Sequence, residues 1–183
     1  MYALLFSLPG TPVIYYGDEI GMGDNIWLED RNGVRTPMQW SAVDNGGFSS
    51  AQAARLYSPV IDDEVFGYRA VNVAAQQSDP TSLYQAIRHM IGLHKQHASL
   101  GAGTFHVLDA HNPAVLAYTR HHGDETILVV NNLSASTQPV QLTITEASSP
   151  SPRDILSGTV FPPMTDIPYS LPLGTYQSIW LLL

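Results

Sequence analysis

The side chains able to do acid–base or nucleophilic work are few in this chain of 183 residues, and cysteine is not among them. Without a thiol, disulfides, thiolate metal centres and cysteine nucleophiles are all excluded. The carboxylates that stand out are Asp18 and Glu19, adjacent at the end of an apolar run, and the acidic run Asp62-Asp63-Glu64. Two carboxyls held about 5–5.5 Å apart can share nucleophile and acid roles at an acetal carbon. Neighbours at a strand end point in different directions, so Asp18 and Glu19 are not expected to form such a pair. Their expected role is structural: a partly buried carboxylate needs partners, here neighbouring backbone or an arginine. Asp62 to Glu64 read as a solvated loop.

Metal chemistry has little to build on. Asp30-Arg31-Asn32-Gly33 opens like a calcium loop, but no glutamate stands where the twelfth ligand belongs. His94 and His97 are three apart on a helical segment, and His121 and His122 are neighbours on a strand. Neither spacing makes a ligand set. No metal and no cofactor is expected.

Residues 1–8 read as the end of a helix, stopped by Pro9-Gly10-Thr11-Pro12. Val13-Ile14-Tyr15-Tyr16 is a continuous apolar run between turn residues, the pattern of a strand buried on both faces, with both tyrosines in the core. From Gly21 to Ser78 periodicity fades and Gly, Asn, Asp and Pro dominate, so a long loop is expected, and such loops tend to be functional. A helix over 81–97 follows, with Asp79 as its cap, Pro80 in its first turn, and Leu83, Ile87, Met90, Ile91 and His94 on one face. The Gly-rich stretch from Ser99 to Gly103 is read as a hinge, which puts the domain boundary between residues 101 and 102.

Beyond it the apolar period changes from about 3.6 to 2. Strands are expected at 104–108, 114–121, 126–131, 140–144, 154–156, 169–173 and 177–182, separated by turns such as 111–113, 122–124 and 148–152. Short strands at that spacing predict an antiparallel β-sandwich over 102–183. The first half poses a puzzle. A strand apolar on both faces needs partners at both edges and layers on both sides, and this chain supplies too few. The expectation is that the chain begins inside a larger domain, with Met1 an internal methionine.

The formal charge is -8 at pH 7, from sixteen acidic against eight basic side chains. Such a surface repels phosphate backbones and anionic lipid, so neither nucleic acid nor a membrane is an expected partner. The apolar start is too short and interrupted to span a bilayer and has no basic leader before it. A cytoplasmic setting fits the lack of cysteine. The Asn132-Leu133-Ser134 sequon has meaning only for an exported protein.

Four motifs in order give the sequence its specificity. Gly10-Thr11-Pro12-Val13-Ile14-Tyr15-Tyr16-Gly17-Asp18-Glu19-Ile20-Gly21 resembles the eighth barrel strand of glycoside hydrolase family 13, the α-amylase family. Arg35-Thr36-Pro37-Met38-Gln39-Trp40, with Asn45-Gly46-Gly47-Phe48 after it, resembles the loop that follows that strand. Residues 21–34 and 68–73 are similar to the maltose–trehalose interconverting members, and 112–118 with 130–134 continue the likeness.

The resemblance implies the end of a (β/α)8 barrel, with last strand, catalytic-face loop and last helix in residues 1–101, and the family's C-terminal β-sandwich in 102–183. It implies retaining glucosyl transfer between maltose and trehalose, with an α-glucosidase, oligo-1,6-glucosidase or sucrose isomerase as alternatives. The family's catalytic Asp, Glu and Asp lie on earlier strands whose motifs are absent here, so no catalytic residue is expected in this chain and none of its turnover alone. The other partner implied is the missing N-terminal part of the barrel. Barrel active sites are built from loops at the strands' C-terminal ends, so Arg35 and Arg31 are the expected substrate-side residues, as fixed fans of donors. Trp40 and Trp27 are the expected stacking surfaces, and Asp18 and Glu19 structural neighbours of the site. A reading from another class takes 104–183 as a non-catalytic carbohydrate-binding or structural module. The aromatics Phe105, Tyr118, Phe161, Tyr169, Tyr176 and Trp180 are scattered singly, which favours packing over a binding face.

Overall fold

A computed structural model of the chain describes residues 1–144, 149–164 and 168–183. Ser148, the first residue of the expected turn 148–152, lies outside them. The chain divides into two compact units, one of residues 1–12 with 89–183 and the other of residues 13–88.

The first unit holds the expected antiparallel β-sandwich. Its strands are β1 (Thr104–Leu108), β2 (Val115–His122), β3 (Glu125–Asn132), β4 (Gln138–Leu142), β5 (Arg153–Asp154), β6 (Tyr169–Leu173) and β7 (Ser178–Leu182). One sheet runs in the order β1-β2-β3-β7-β5 and the other pairs β4 with β6, every pairing antiparallel. Alternation sorts the side chains. Ala117, Leu128, Val130, Ile179 and Leu181 from the large sheet meet Val140, Leu142, Tyr169, Leu171 and Leu173 from the small one in a single core. Each large side chain so buried is worth about 1.5–3 kcal/mol over exposure.

The central strands of the large sheet are buried on their other face as well. Tyr118, Ile127, Val129 and Trp180 are all 0% exposed. That explains why Ile127 to Val130 reads as an unbroken apolar run and not as an alternation. Helix α1 (Tyr2–Ser7) packs on this face: Ser7 Oγ lies 2.6 Å from Tyr118 Oη, and Arg120 Nη1 donates to the Ser7 carbonyl at 2.7 Å. Arg120, 1% exposed, also donates from Nη2 to the Gly103 carbonyl and makes no ion pair among the described residues. Burial pushes the Tyr118 phenol up, against the hydrogen bonds from Ser7 and Asn131 and the nearby Arg120 charge.

Helix α3 (Leu83–Gln96) occupies the expected helical stretch, and the short helix α4 (Ala98–Ala102) stands in place of the expected Gly-rich hinge. Within the first unit they are pinned by polar contacts. His89 Nε2 lies 3.2 Å from the Leu156 carbonyl, and His94 Nδ1 is 2.8 Å from that of Phe6. The Glu125 carboxylate takes His97 Nδ1 at 2.7 Å, the Ser99 hydroxyl at 2.5 Å and the Ser99 amide at 3.1 Å. Burial opposes the Glu125 charge, but these donors outweigh it and hold the carboxyl below its ordinary range. Asn132 of the sequon is 2% exposed and donates to the Ser136 and Gly174 carbonyls, so the turn and not a glycan uses it.

The second unit is mostly irregular, with single 3-10 turns at Asp18–Ile20, Asn32–Arg35, Asp44–Gly47 and Ala53–Arg55. Ile20, Met38 and Val73 form its centre, with Met22, Val71 and Tyr84 against them. Three expectations are corrected here. Val13 to Tyr16 is extended but joins no ladder, with Val13 78% exposed, because no neighbouring strand in this unit offers it hydrogen bonds. Tyr15 and Tyr16 are accordingly 47% and 42% exposed and are not core. Asp79 does not cap α3: its carboxylate accepts from the Thr81 amide and hydroxyl, and Ser82 Oγ takes the Gln85 amide instead. The expected loop also ends in an unforeseen helix, α2 (Val73–Ser78), whose Asn72 cap accepts from the Ala75 amide at 2.9 Å.

Candidate functional site

The segment Arg35 to Trp40 is held from behind, and that sets what it presents in front. Thr36, Met38 and Gln39 are buried at 1%, 6% and 0% exposure, while Trp40 stays 51% exposed. The Gln39 amide nitrogen donates to the Phe66 carbonyl at 3.1 Å and to that of Val71 at 2.5 Å. It cannot be turned round, since the carbonyl oxygens would then face its own oxygen. Val73 N–H donates to the Gln39 carbonyl and Ala74 N–H to that of Trp40, which ties the segment to the start of α2.

The Asn45-Gly46-Gly47 turn closes the other end. Trp40 and Ser41 N–H both donate to the Gly46 carbonyl, at 2.8 and 3.0 Å. Asn45 sits at φ 55° and donates to the Ser49 and Ala51 carbonyls. Gly46, at φ 64°, lies under the Tyr68 side chain, where a Cβ would come within 3.3 Å. Left-handed backbone at successive positions is why the motif needs Asn and Gly.

In front of this scaffold is an open cleft of about 430 Å³ with Tyr16, Glu19, Arg35, Trp40 and Phe48 among its lining residues and Leu56 to Ser58 also on it. Its size suits a small organic ligand. Tyr16 Oη donates to the Thr36 carbonyl at 2.9 Å. Burial and the neighbouring Tyr15 push the Tyr16 phenol up, against the pull of the Arg35 charge. Glu19 Oε2 accepts from the Gly17 amide at 2.8 Å, and Asp18 Oδ2 from that of Tyr15 at 3.1 Å. Glu19 is the one carboxylate on the cleft among the described residues. A guanidinium, aromatic faces and apolar walls can hold a neutral hydroxylated ligand. A two-carboxylate centre is not present in it.

The residues singled out from the sequence separate on folding. Arg35, Trp40 and Glu19 come together on the cleft, and Asp18 lies beside it without lining it. Neither Arg35 nor Arg31 makes a side-chain hydrogen bond or ion pair among the described residues. Arg31 is exposed away from the cleft lining, and Trp27, 86% exposed, stands in a second hollow with Asp24, Asp62 and Phe66. The acidic run is busy within its own loop, Asp62 pairing with Arg69 and Asp63 taking the Val65 and Phe66 amides. Leu56, Tyr57 and Ser58 were not foreseen on the cleft, and spacing alone gives no sign of them. Phe48 was visible only as the end of its motif. Among the described residues no group of three or more His, Asp or Glu is arranged to hold a metal.

Comparison with known proteins adds a family. The α-amylase catalytic domain matches residues 1–103, and the C-terminal domain of maltogenic amylase matches residues 105–180. Trehalose synthase of Pimelobacter sp. is 50% identical over 182 residues, covering 97% of this chain and 32% of that protein. The trehalose synthase/amylase of Mycobacterium tuberculosis is 48% identical over 181 residues, covering 97% of this chain and 30% of its own length. The chain thus spans about a third of the length of these relatives. Among solved structures, the trehalulose synthase of Pseudomonas mesoacidophila superposes with a TM-score of 0.76 at 24% identity, over 98% of this chain and 37% of that one.

Proposed function

The chain belongs to the α-amylase family, and from that premise we propose that it is the carboxy-terminal third of a retaining transglucosidase that interconverts maltose and trehalose. In this reading residues 1–101 are the end of the catalytic barrel and residues 102–183 its C-terminal sandwich. The two products it exchanges differ only in which hydroxyl of the second glucose carries the first. A nucleophilic carboxylate and an acid/base carboxylate on the preceding part of the barrel make and break the glucosyl bond. This chain contributes the rim. Arg35 offers donors to sugar hydroxyls or to a catalytic carboxylate, Trp40 a stacking face, and Glu19 and Asp18 fix the backbone beneath.

The observation that carries the proposal is the exposed Arg35 guanidinium, which lines the cleft with Glu19 and Trp40 and makes no side-chain hydrogen bond or ion pair among the described residues. An exposed arginine on a rigid, otherwise well-bonded loop is what a substrate rim requires. Trp27 and Arg31 lie outside this cleft and stand as a second, outer part of the rim. A cytoplasmic setting belongs to the same reading, and fractionation of cells making the parent checks it. The experiment is product analysis of the full-length parent on maltose. Trehalose with little free glucose supports the proposal, and glucose alone rejects it.

A further inference from the structure

The cleft has a second wall that the reading so far does not use. Leu56, Tyr57 and Ser58 line it beside the Arg35 to Trp40 segment, directly after the turn at Ala53–Arg55. Two features of this wall are unusual for a segment that serves packing. Tyr57 is wholly exposed and has no hydrogen bond or ring contact among the described residues. The Ser58 hydroxyl is the reverse: buried, yet without a hydrogen-bond partner among the described residues. A buried hydroxyl is normally paired, and leaving one unpaired is unfavourable. An aromatic face free of protein contacts and an unanswered hydroxyl, side by side on one cleft, are the two elements with which a sugar ring is held.

The geometry points to Tyr57 and Ser58 as specificity-determining residues that retain the released glucose, an assignment that rests on the transglucosidase reading above. When the glucosyl unit leaves maltose, one glucose is set free. Transfer to the anomeric hydroxyl of that glucose gives trehalose, whereas transfer to water gives a second glucose. In both cases the attacking O–H yields its proton to the acid/base carboxylate of the full barrel. Which outcome follows depends on whether the free glucose stays in place long enough to turn and react. A wall that stacks on the sugar and answers one hydroxyl holds it without touching the carbon that reacts.

The test is made in the full-length parent, with Tyr57→Ala and Ser58→Ala assayed on maltose for the ratio of free glucose to trehalose. Loss of one hydrogen bond or one stacking face corresponds to roughly a five- to tenfold rise in that ratio, with Tyr57→Phe staying near the parent value because it keeps the ring. A ratio unchanged in both alanine variants overturns the assignment, as does a ratio that rises only in step with a falling melting temperature. Should Ser58→Ala not fold, Ser58→Cys keeps the size and weakens the donor, and the same ratio decides. A parent that makes only glucose defeats the transglucosidase reading itself, and that result is read before any variant is made.

Discussion

Replacing Gln39 with leucine probes how the cleft is held open. The side chain is 0% exposed and its amide nitrogen donates to the carbonyls of Phe66 and Val71. Leucine has a similar volume but no donor, so the carbonyls of Phe66 and Val71, in residues that are themselves partly exposed, lose this partner. Each such loss costs about 1–3 kcal/mol. Against this, the Gln39 Oε1 atom is itself buried without a partner among the described residues, and removing it returns part of the loss. The net is about 2–3 kcal/mol against the folded loop, or roughly a 30- to 150-fold rise in its opening. The amides of Trp40, Ser41, Val73 and Ala74 report that opening, because each is bonded across this junction. Hydrogen exchange at those four should quicken by that factor, while the buried amides of β3 keep their rates. Exchange at Trp40 and Val73 within about twofold of the unaltered protein would falsify the scaffold argument.

Other perturbations follow from the same contacts. In the parent, Arg35→Lys should lower kcat/KM on maltose by roughly tenfold to a hundredfold, since a point charge does not replace a planar fan of donors; steady-state kinetics reads this. Glu125→Gln should lose about 1–2 kcal/mol of stability at neutral pH. The Glu125 carboxyl titrates lower folded than unfolded, so its contribution is full above about pH 4.3 and vanishes as pH falls through the folded value. Melts of the pair should therefore converge in acid and differ near neutrality. Tyr118→Phe should cost about 1–2 kcal/mol in denaturant titration, for the loss of its buried hydrogen bonds to Ser7 and Asn131.

How much of this could be read from residues alone depended on how local the cause was. The sandwich strands declare themselves where one pleat face is apolar: β6 alternates buried and exposed from Tyr169 to Leu173, as its sequence does. Helix α2 escaped notice because six residues, Val73–Ser78, give less than two turns of pattern. The cap of α3 went to Ser82 and not Asp79 because Thr81 competes for the Asp79 carboxylate. Val13 to Tyr16 has the composition of a buried strand, but a ladder is a property of two strands, and this unit provides only one. At the site, Arg35 and Trp40 stand out by residue type. Nothing in the spacing shows that Tyr57 and Ser58, some twenty residues on, share their cleft, since irregular backbone has no period from which to reckon a contact.

The claim on which the rest turns is that this chain shapes a sugar site without carrying its reacting carboxylates. Incubating the purified 183-residue chain with maltose and following the sugars by chromatography tests it directly. With a single carboxylate on the cleft, neither trehalose nor glucose should appear above the uncatalysed background. Sustained release of either sugar, abolished by Glu19→Gln, would contradict the account.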